Sequence, residues 1–123
     1  MNNVTSPRTD DHGIEQEIQA KGLTAPRITP ADIQRNITAE YYFTAREGAE
    51  SASMCGGVYP IELGLLTFCV LVLKNGFTVT GESACASPEN FDAEIGKKIA
   101  HENAVQKLWP LLGYELKSKL TSS

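Results

Sequence analysis

Basic side chains are sparse in this sequence: 11 Lys and Arg stand against 15 Asp and Glu, a formal charge of −4, and the four arginines (Arg8, Arg27, Arg35, Arg46) are scattered. A field of that sign repels polyphosphate, and stable attachment to duplex DNA or an anionic membrane needs a concentrated basic patch. None is visible, so neither a nucleic-acid polymer nor a membrane is expected as a partner. Cysteine is scarce and odd in number: Cys55, Cys69 and Cys85 form no C-x-x-C pair, which argues against a disulfide framework and a thiolate metal site. They are expected to be reduced and mostly packed. Long apolar runs are missing as well. The longest, Leu63 to Leu73, is about half the length of a membrane-spanning helix, and the first residues show neither a basic start nor an apolar signal core, so a cytosolic protein is expected. Histidine is limited to His12 and His101; with no second imidazole at metal-ligand spacing, no metal and no histidine-based catalysis are expected. Neither G-x-G-x-x-G nor a Gly-Lys-Ser/Thr ending occurs, which removes dinucleotide oxidoreductases and P-loop ATPases and leaves no cofactor. Glu82, Glu89 and Glu94 gather carboxylates near one loop, but sequence spacing alone does not set the separation an acid/base pair needs.

What remains is a chain of 123 residues, 41% hydrophobic, with 10 Gly and 6 Pro, enough for one small core. Residues 1–27 hold Asp10, Asp11, Glu15 and Glu17 and almost no large apolar side chain, too little to offset the entropy of ordering. They read as a mobile N-terminal arm, with at most a short helix over Gly13 to Gln19, followed by a single domain over 28–123. Thr29-Pro30-Ala31-Asp32 carries a cap, a first-turn proline and an acid in the positive first turn. It predicts a short helix to about Tyr41 with Ile33, Ile37 and Tyr41 on one stripe, widened by Tyr42 and Phe43. Arg46 to Tyr59, rich in Gly and Ser, reads as a loop.

Lys74-Asn75-Gly76-Phe77 sits between two β-rich runs, and Asn-Gly is the preferred pair of a two-residue hairpin turn. Pairing Lys74 with Phe77 opposes Val72 to Val79, Val70 to Gly81 and Phe68 to Ser83 on a face that reads as core. Leu73, Leu71 and Cys69 then oppose Thr78, Thr80 and Glu82 on the other face. Aliphatic surface left there predicts a homo-oligomer. Ser87-Pro88-Glu89-Asn90 predicts the start of the longest helix, with Phe91, Ile95, Ile99, Ala100, Ala104 and Leu108 on its stripe and Pro110 as its end. Leu111 to Leu120 reads as a strand or a short helix. The fold class expected is α+β: an antiparallel hairpin or sheet packed against one long and one short helix.

One constellation has chemical potential. Thr80, Glu82, Ser83 and Ser87 bring hydroxyls, a carboxylate and open backbone to the segment before the main helix, whose N-terminus attracts phosphate. Phe77 or Phe91 offers a face for a nucleobase, and Asn90 a reader of a base edge or a ribose. Helix capping plus an aromatic core accounts for the same residues.

From Leu66 to Tyr114 the run LTFCVLVLKNGFTVTGESACASPENFDAEIGKKIAHENAVQKLWPLLGY, with its blocks Lys74-Asn75-Gly76-Phe77, Gly81-Glu82-Ser83-Ala84, Asn90-Phe91-Asp92 and Ile95-Gly96-Lys97-Lys98, resembles a small family of tailed-phage accessory proteins. It is similar to the group containing the first-type Thoeris anti-defence sponge proteins. The resemblance implies a non-catalytic protein, not an enzyme, in the host cytoplasm. Such a protein holds cyclic ADP-ribose isomers, and in some relatives cyclic di- or trinucleotides, intact in pockets between subunits of a dimer or hexamer. It further implies Phe77 as a stacking aromatic, Asn90 as a polar reader, Lys97 and Lys98 where relatives often have Arg-Lys, and Arg46 as a reach from a neighbouring subunit. Lysine is a point charge where arginine grips two oxygens. The alternative is a phage accessory protein that acts by protein-protein contact on a host factor.

Overall fold

The computed structural model describes residues 11–53 and 57–122. Contacts divide the chain into two compact units, one made of the residues up to Asn36 together with Gln106 onward, the other of Ile37–Val105.

The 37–105 unit is built on a three-stranded antiparallel sheet in the order β1 (Ile37–Thr44), β2 (Leu66–Leu73), β3 (Thr78–Ala84), so the expected α+β class holds. Strand β1 replaces the second half of the helix expected to run to Tyr41. The run Ile-Thr-Ala-Glu-Tyr-Tyr-Phe-Thr is β-branched and aromatic, and in the extended form it pairs along its length with β2, from Ile37 opposite Leu73 to Thr44 opposite Thr67. The expected loop after Arg46 is also corrected. Thr44 opens a helix over Ala45–Ala52, because its hydroxyl accepts from the Glu47 amide at 3.1 Å while the Glu47 carboxylate accepts from the Thr44 amide at 2.8 Å. This reciprocal box satisfies two donors that a helix start otherwise leaves open.

The hairpin forms where expected but one residue out of register. Leu73 N–H donates to the Phe77 carbonyl (2.8 Å), Gly76 N–H to the Leu73 carbonyl (2.9 Å), and Gly76 takes φ +89°. Lys74-Asn75-Gly76 is therefore a three-residue loop with its left-handed position on glycine. Asn75 favours it further by accepting from the Phe77 amide at 2.9 Å. A slip of one residue turns every side chain over. Leu71 lies opposite Val79 and Cys69 opposite Gly81, and the buried face of β2 is Thr67, Cys69, Leu71 and Leu73. The expected core positions Phe68, Val70 and Val72 are half-buried on the other side, across from Glu82, Thr80 and Thr78 and from Phe43, Tyr41 and Ala39.

A single 3-10 turn over Pro88–Asn90 precedes the long helix, which starts at Ala93 and not at Ser87; Ser87 makes no side-chain cap. Asp92 caps it, accepting from the Ile95 amide at 3.0 Å. The Ala93–Gln106 helix buries Gly96, Ala100, Ala104 and Val105, while Ile95, expected on the inner stripe, is 54% exposed. The inner stripe is small because the helix backbone approaches the sheet at Gly81: a β-carbon there would fall on the Ala100 carbonyl oxygen and the Ala104 amide nitrogen. Asn103 closes this contact by donating to the Glu82 carbonyl at 2.8 Å.

The other unit contains helices over Asp11–Ala20, Pro30–Asn36 and Leu108–Thr121. The arm expected over 1–27 contains this Asp11–Ala20 helix, which takes in the short helix allowed there over Gly13 to Gln19, and residues 1–10 lie outside the described residues. The first helix ends at Gly22, φ +68°, whose amide donates to the Gln19 carbonyl at 3.0 Å. Arg27 reaches back to hold both Glu15 carboxylate oxygens at 2.5 and 2.7 Å. Thr29 and Asp32 bond reciprocally at the next helix start, as expected. Pro110 does not end a helix: it stands in the first turn of Leu108–Thr121, where a missing N–H costs no intrahelical bond. Leu111 to Leu120 is thus helical. Ile33, Leu108 and Leu112 are buried, and the Asp11 carboxylate accepts from Gln106 and Trp109 at 3.3 Å each. No helix among the described residues is long and apolar enough to cross a membrane.

Two glycines test this packing. Gly81→Ala forces the Ala93–Gln106 helix off the sheet and lowers stability in urea denaturation by about 1–3 kcal/mol, the range of core overpacking. Gly113→Ala, whose added carbon meets nothing within 4 Å, raises it by about 0.5–1 kcal/mol through helix propensity. Acid tests the first helix. The Arg27 guanidinium, with help from the Gln19 amide, holds the Glu15 carboxyl at about 2 instead of 4.5. A depressed carboxylate stabilises the folded form above the ordinary value and loses that contribution as pH falls between about 4.5 and about 2. NMR titration of the Glu15 side chain finds a midpoint near the lower end, and Arg27→Gln moves it toward the upper one.

Candidate functional site

The inner face of the sheet changes character along its length. Glu40, Leu71 and Val79 form one cross-strand row, Tyr42, Cys69 and Gly81 the next, and Thr44, Thr67 and Ser83 the last. Three hydroxyl side chains therefore line up at the end where the Ala93–Gln106 helix begins. Thr67 is the central one and is 3% exposed. Its oxygen faces Gly96, where a β-carbon would come within 3.0 Å of it, and among the described residues the hydroxyl has no hydrogen-bond partner. Burying a hydroxyl unpaired costs about 1–3 kcal/mol, a cost that the isosteric valine avoids.

A pocket of about 220 Å³ opens beside it, lined by Tyr42, Phe43, Thr44, Glu47, Thr67, Phe91, Ala93 and Lys97. Lys97 stands on the second turn of the helix and makes no ion pair among the described residues. The Phe91 ring reaches the Gly96 turn. Glu47 brings a carboxylate to the same wall, but its oxygen is engaged by the Thr44 amide. Behind the pocket the groups are paired: the Tyr42 hydroxyl donates to Glu40 at 3.0 Å, and His101 approaches the other Glu40 oxygen at 3.4 Å. Burial, reinforced by the Glu40 carboxylate, pushes the Tyr42 phenol well above its usual range. Burial likewise pushes the Cys69 thiol up, away from the thiolate a nucleophile needs. Among the described residues the pocket thus offers one cation, one unsatisfied hydroxyl, aromatic walls and the Glu47 carboxylate, a set suited to an anion joined to a flat ring that carries a donor group.

Lys97 and Phe91 are the expected candidates that line this pocket. Ser83 is half-buried across the strand from Thr67, and Ser87 and Asn90 lie in the segment leading to Phe91. Thr80 and Glu82 are exposed on the opposite face of β3. Lys98 is exposed beside Lys97. Arg46, on the Ala45–Ala52 helix, bonds Glu50 at 2.9 Å and lies 5.9 Å from the Tyr59 ring centre. Phe77 is 56% exposed after the hairpin loop, at the far end of β2. At ~3.3 Å per residue, the six steps from Thr67 to Leu73, opposite Phe77, carry it roughly 20 Å from Thr67. Thr67, Thr44, Tyr42 and Glu47 were not among the candidates. The signal for Thr67 was its hydroxyl in a strand otherwise made of apolar residues.

The 11–36 and 106–122 unit has a pocket of about 230 Å³ between Ile14, Ile18, Ile28 and Trp109. Its Asp11 and Glu15 carboxylates are already bonded to Gln106, Trp109 and Arg27. Among the described residues no three His, Cys, Asp or Glu side chains gather as a metal site.

Residues 28–120 match the model of the phage protein (N4 Gp49/phage Sf6 gene 66) family, and the chain belongs to that family. No curated protein and no solved structure matches it.

Proposed function

We propose that this phage protein captures a cyclic ADP-ribose isomer in the host cytoplasm without cleaving it, so that a bacterial defence signal does not reach its effector. Related cyclic di- or trinucleotides fall within the same chemistry. The observation that carries this reading is the pocket in which Lys97 stands beside the unpaired Thr67 hydroxyl and the Phe91 ring. A cation and a hydroxyl suit phosphate oxygens, and a phenyl ring suits a base. Size adds a condition. The pocket is smaller than the ~300–1,000 Å³ of sites that enclose a whole small molecule, so it accommodates a phosphate or a base and leaves the rest of such a ligand outside. A second copy of the chain completes the site in this proposal, and Phe77, after the hairpin loop, and Asn90, in the turn before the Ala93–Gln106 helix, then serve one ligand from two copies. The molecule acts by holding and not by turnover.

One observation favours the alternative of contact with a host factor. The outer sheet face exposes Tyr41 at 62% and Phe43 at 38% beside Phe68 and Val70, an apolar surface of the kind that docks proteins.

Two measurements separate these readings. Incubation with cyclic ADP-ribose isomers followed by heat denaturation returns the ligand unmodified, and light scattering gives a mass above that of one chain. Recovery of hydrolysed ligand would make the protein an enzyme. A monomer that no cyclic nucleotide protects against heat, but that retains one stoichiometric host protein from infected cells, would establish the alternative.

A further inference from the structure

We infer that Thr67 and Lys97 form a phosphoryl-anion subsite, in which an anionic oxygen accepts from the Thr67 hydroxyl and the Lys97 ammonium. The ligand class is a phosphate or pyrophosphate, free or esterified. The subsite names residues for the pocket of the preceding proposal, and its link to a cyclic nucleotide rests on that proposal.

Four features lead to it. Thr67 is the central residue of the hydroxyl row and is 97% buried by its 3% exposure, yet nothing among the described residues satisfies it. Native interiors rarely leave such a group without a partner, and those that do commonly await a water or a ligand. Its neighbours in the row differ, since Thr44 is engaged in its helix cap and Ser83 is only half-buried. Gly96 lets the helix approach, since a β-carbon there would press on the Thr67 oxygen at 3.0 Å. Finally, Lys97 follows Gly96 directly in the helix and lines the same pocket as Thr67, so both the cation and the hydroxyl border one cavity. Hydrogen bonds between such donors and an ionised oxygen are the strong class. Glu47 restrains the site: a carboxylate among the lining residues weakens any free polyanion and favours a ligand that carries a donor group next to its phosphate. Binding of inorganic pyrophosphate is therefore weak and salt-sensitive, and an ester with a hydroxylated sugar binds more tightly.

Calorimetric titration of the full chain with inorganic pyrophosphate and with a cyclic ADP-ribose isomer, for the parent, Thr67→Val and Lys97→Gln, tests this. Both variants are expected to lose about tenfold or more in affinity for both probes, the scale of a hydrogen bond to a charged group. Thr67→Val keeps or raises the melting temperature, because it removes an unpaired buried hydroxyl. Parental affinity for the cyclic nucleotide in both variants overturns the subsite and leaves sequestration standing. Pyrophosphate binding that both variants lose, with no cyclic nucleotide binding by the parent, supports the subsite and overturns sequestration. Absence of binding by either probe in the parent overturns both.

Discussion

The approach of helix backbone to sheet at Gly81 governs the 37–105 unit. A helix rests on a sheet at the distance its side chains impose, and here residue 81 contributes none while the facing helix offers Ala100 and Ala104. Close contact at that point holds the remaining inner-face geometry. Glu40 and Tyr42 are brought to His101 on one side, and Thr67 is brought to Gly96 on the other. The small-residue stripe Gly96, Ala100, Ala104 is therefore a spacing device. Larger aliphatics at these positions would bury more area and would lift the helix from the polar residues it now covers.

The same contact explains why the inner face is divided. Leu71, Leu73 and Val79 supply the apolar part of the core near the hairpin. Toward the other end the inner rows pass through Tyr42, Cys69 and Gly81 to Thr44, Thr67 and Ser83. A row of hydroxyls contributes less to folding than a row of valines, so its position against the start of a helix is a cost in stability borne at one end of the sheet. Thr44 turns its share to use as a helix cap. Thr67 has no such local outlet, and it is the hydroxyl that faces the helix turn carrying Lys97.

Much of the fold was legible in the sequence, and the failures have physical causes. The hairpin, the cap at Thr29 and the long helix follow from local chemistry that acts over a few residues. The register does not: Asn75-Gly76 fits a two-residue loop as well as a three-residue one, and the choice depends on the burial of Leu71 against Val79, a tertiary quantity. That single slip hid Thr67, since it placed Phe68 inside and Thr67 outside. Strand β1 was misread because Ile33, Ile37 and Tyr41 also recur at helical spacing, and only pairing with β2 decides in favour of the extended form. Two other errors were avoidable from local rules. Thr44-x-x-Glu47 is a capping signature within what read as a loop, and Pro110 lies two residues after Leu108, where a proline belongs to a helix start.

The candidate site was legible only where chemistry and position coincide. Lys97 comes from the resemblance, and it lines the pocket beside Phe91, which its aromatic face had marked. Phe77 and Asn90 follow from their chemistry as well as from the resemblance, and within one chain Phe77 stands after the hairpin loop while Asn90 stands in the turn before the Ala93–Gln106 helix. Under the proposed sequestration, different copies would supply those residues to one small ligand, and each copy would hold the phosphate end at its own Thr67. The half-exposed outer face of Tyr41, Phe43 and Phe68 is then available for the contact between copies, because the inner face is already occupied by the helix. A monomer would leave that outer surface to water and the pocket open on one side. If copies of the chain assemble as proposed, one contact would cover the exposed Tyr41 and Phe43 and extend a pocket of about 220 Å³.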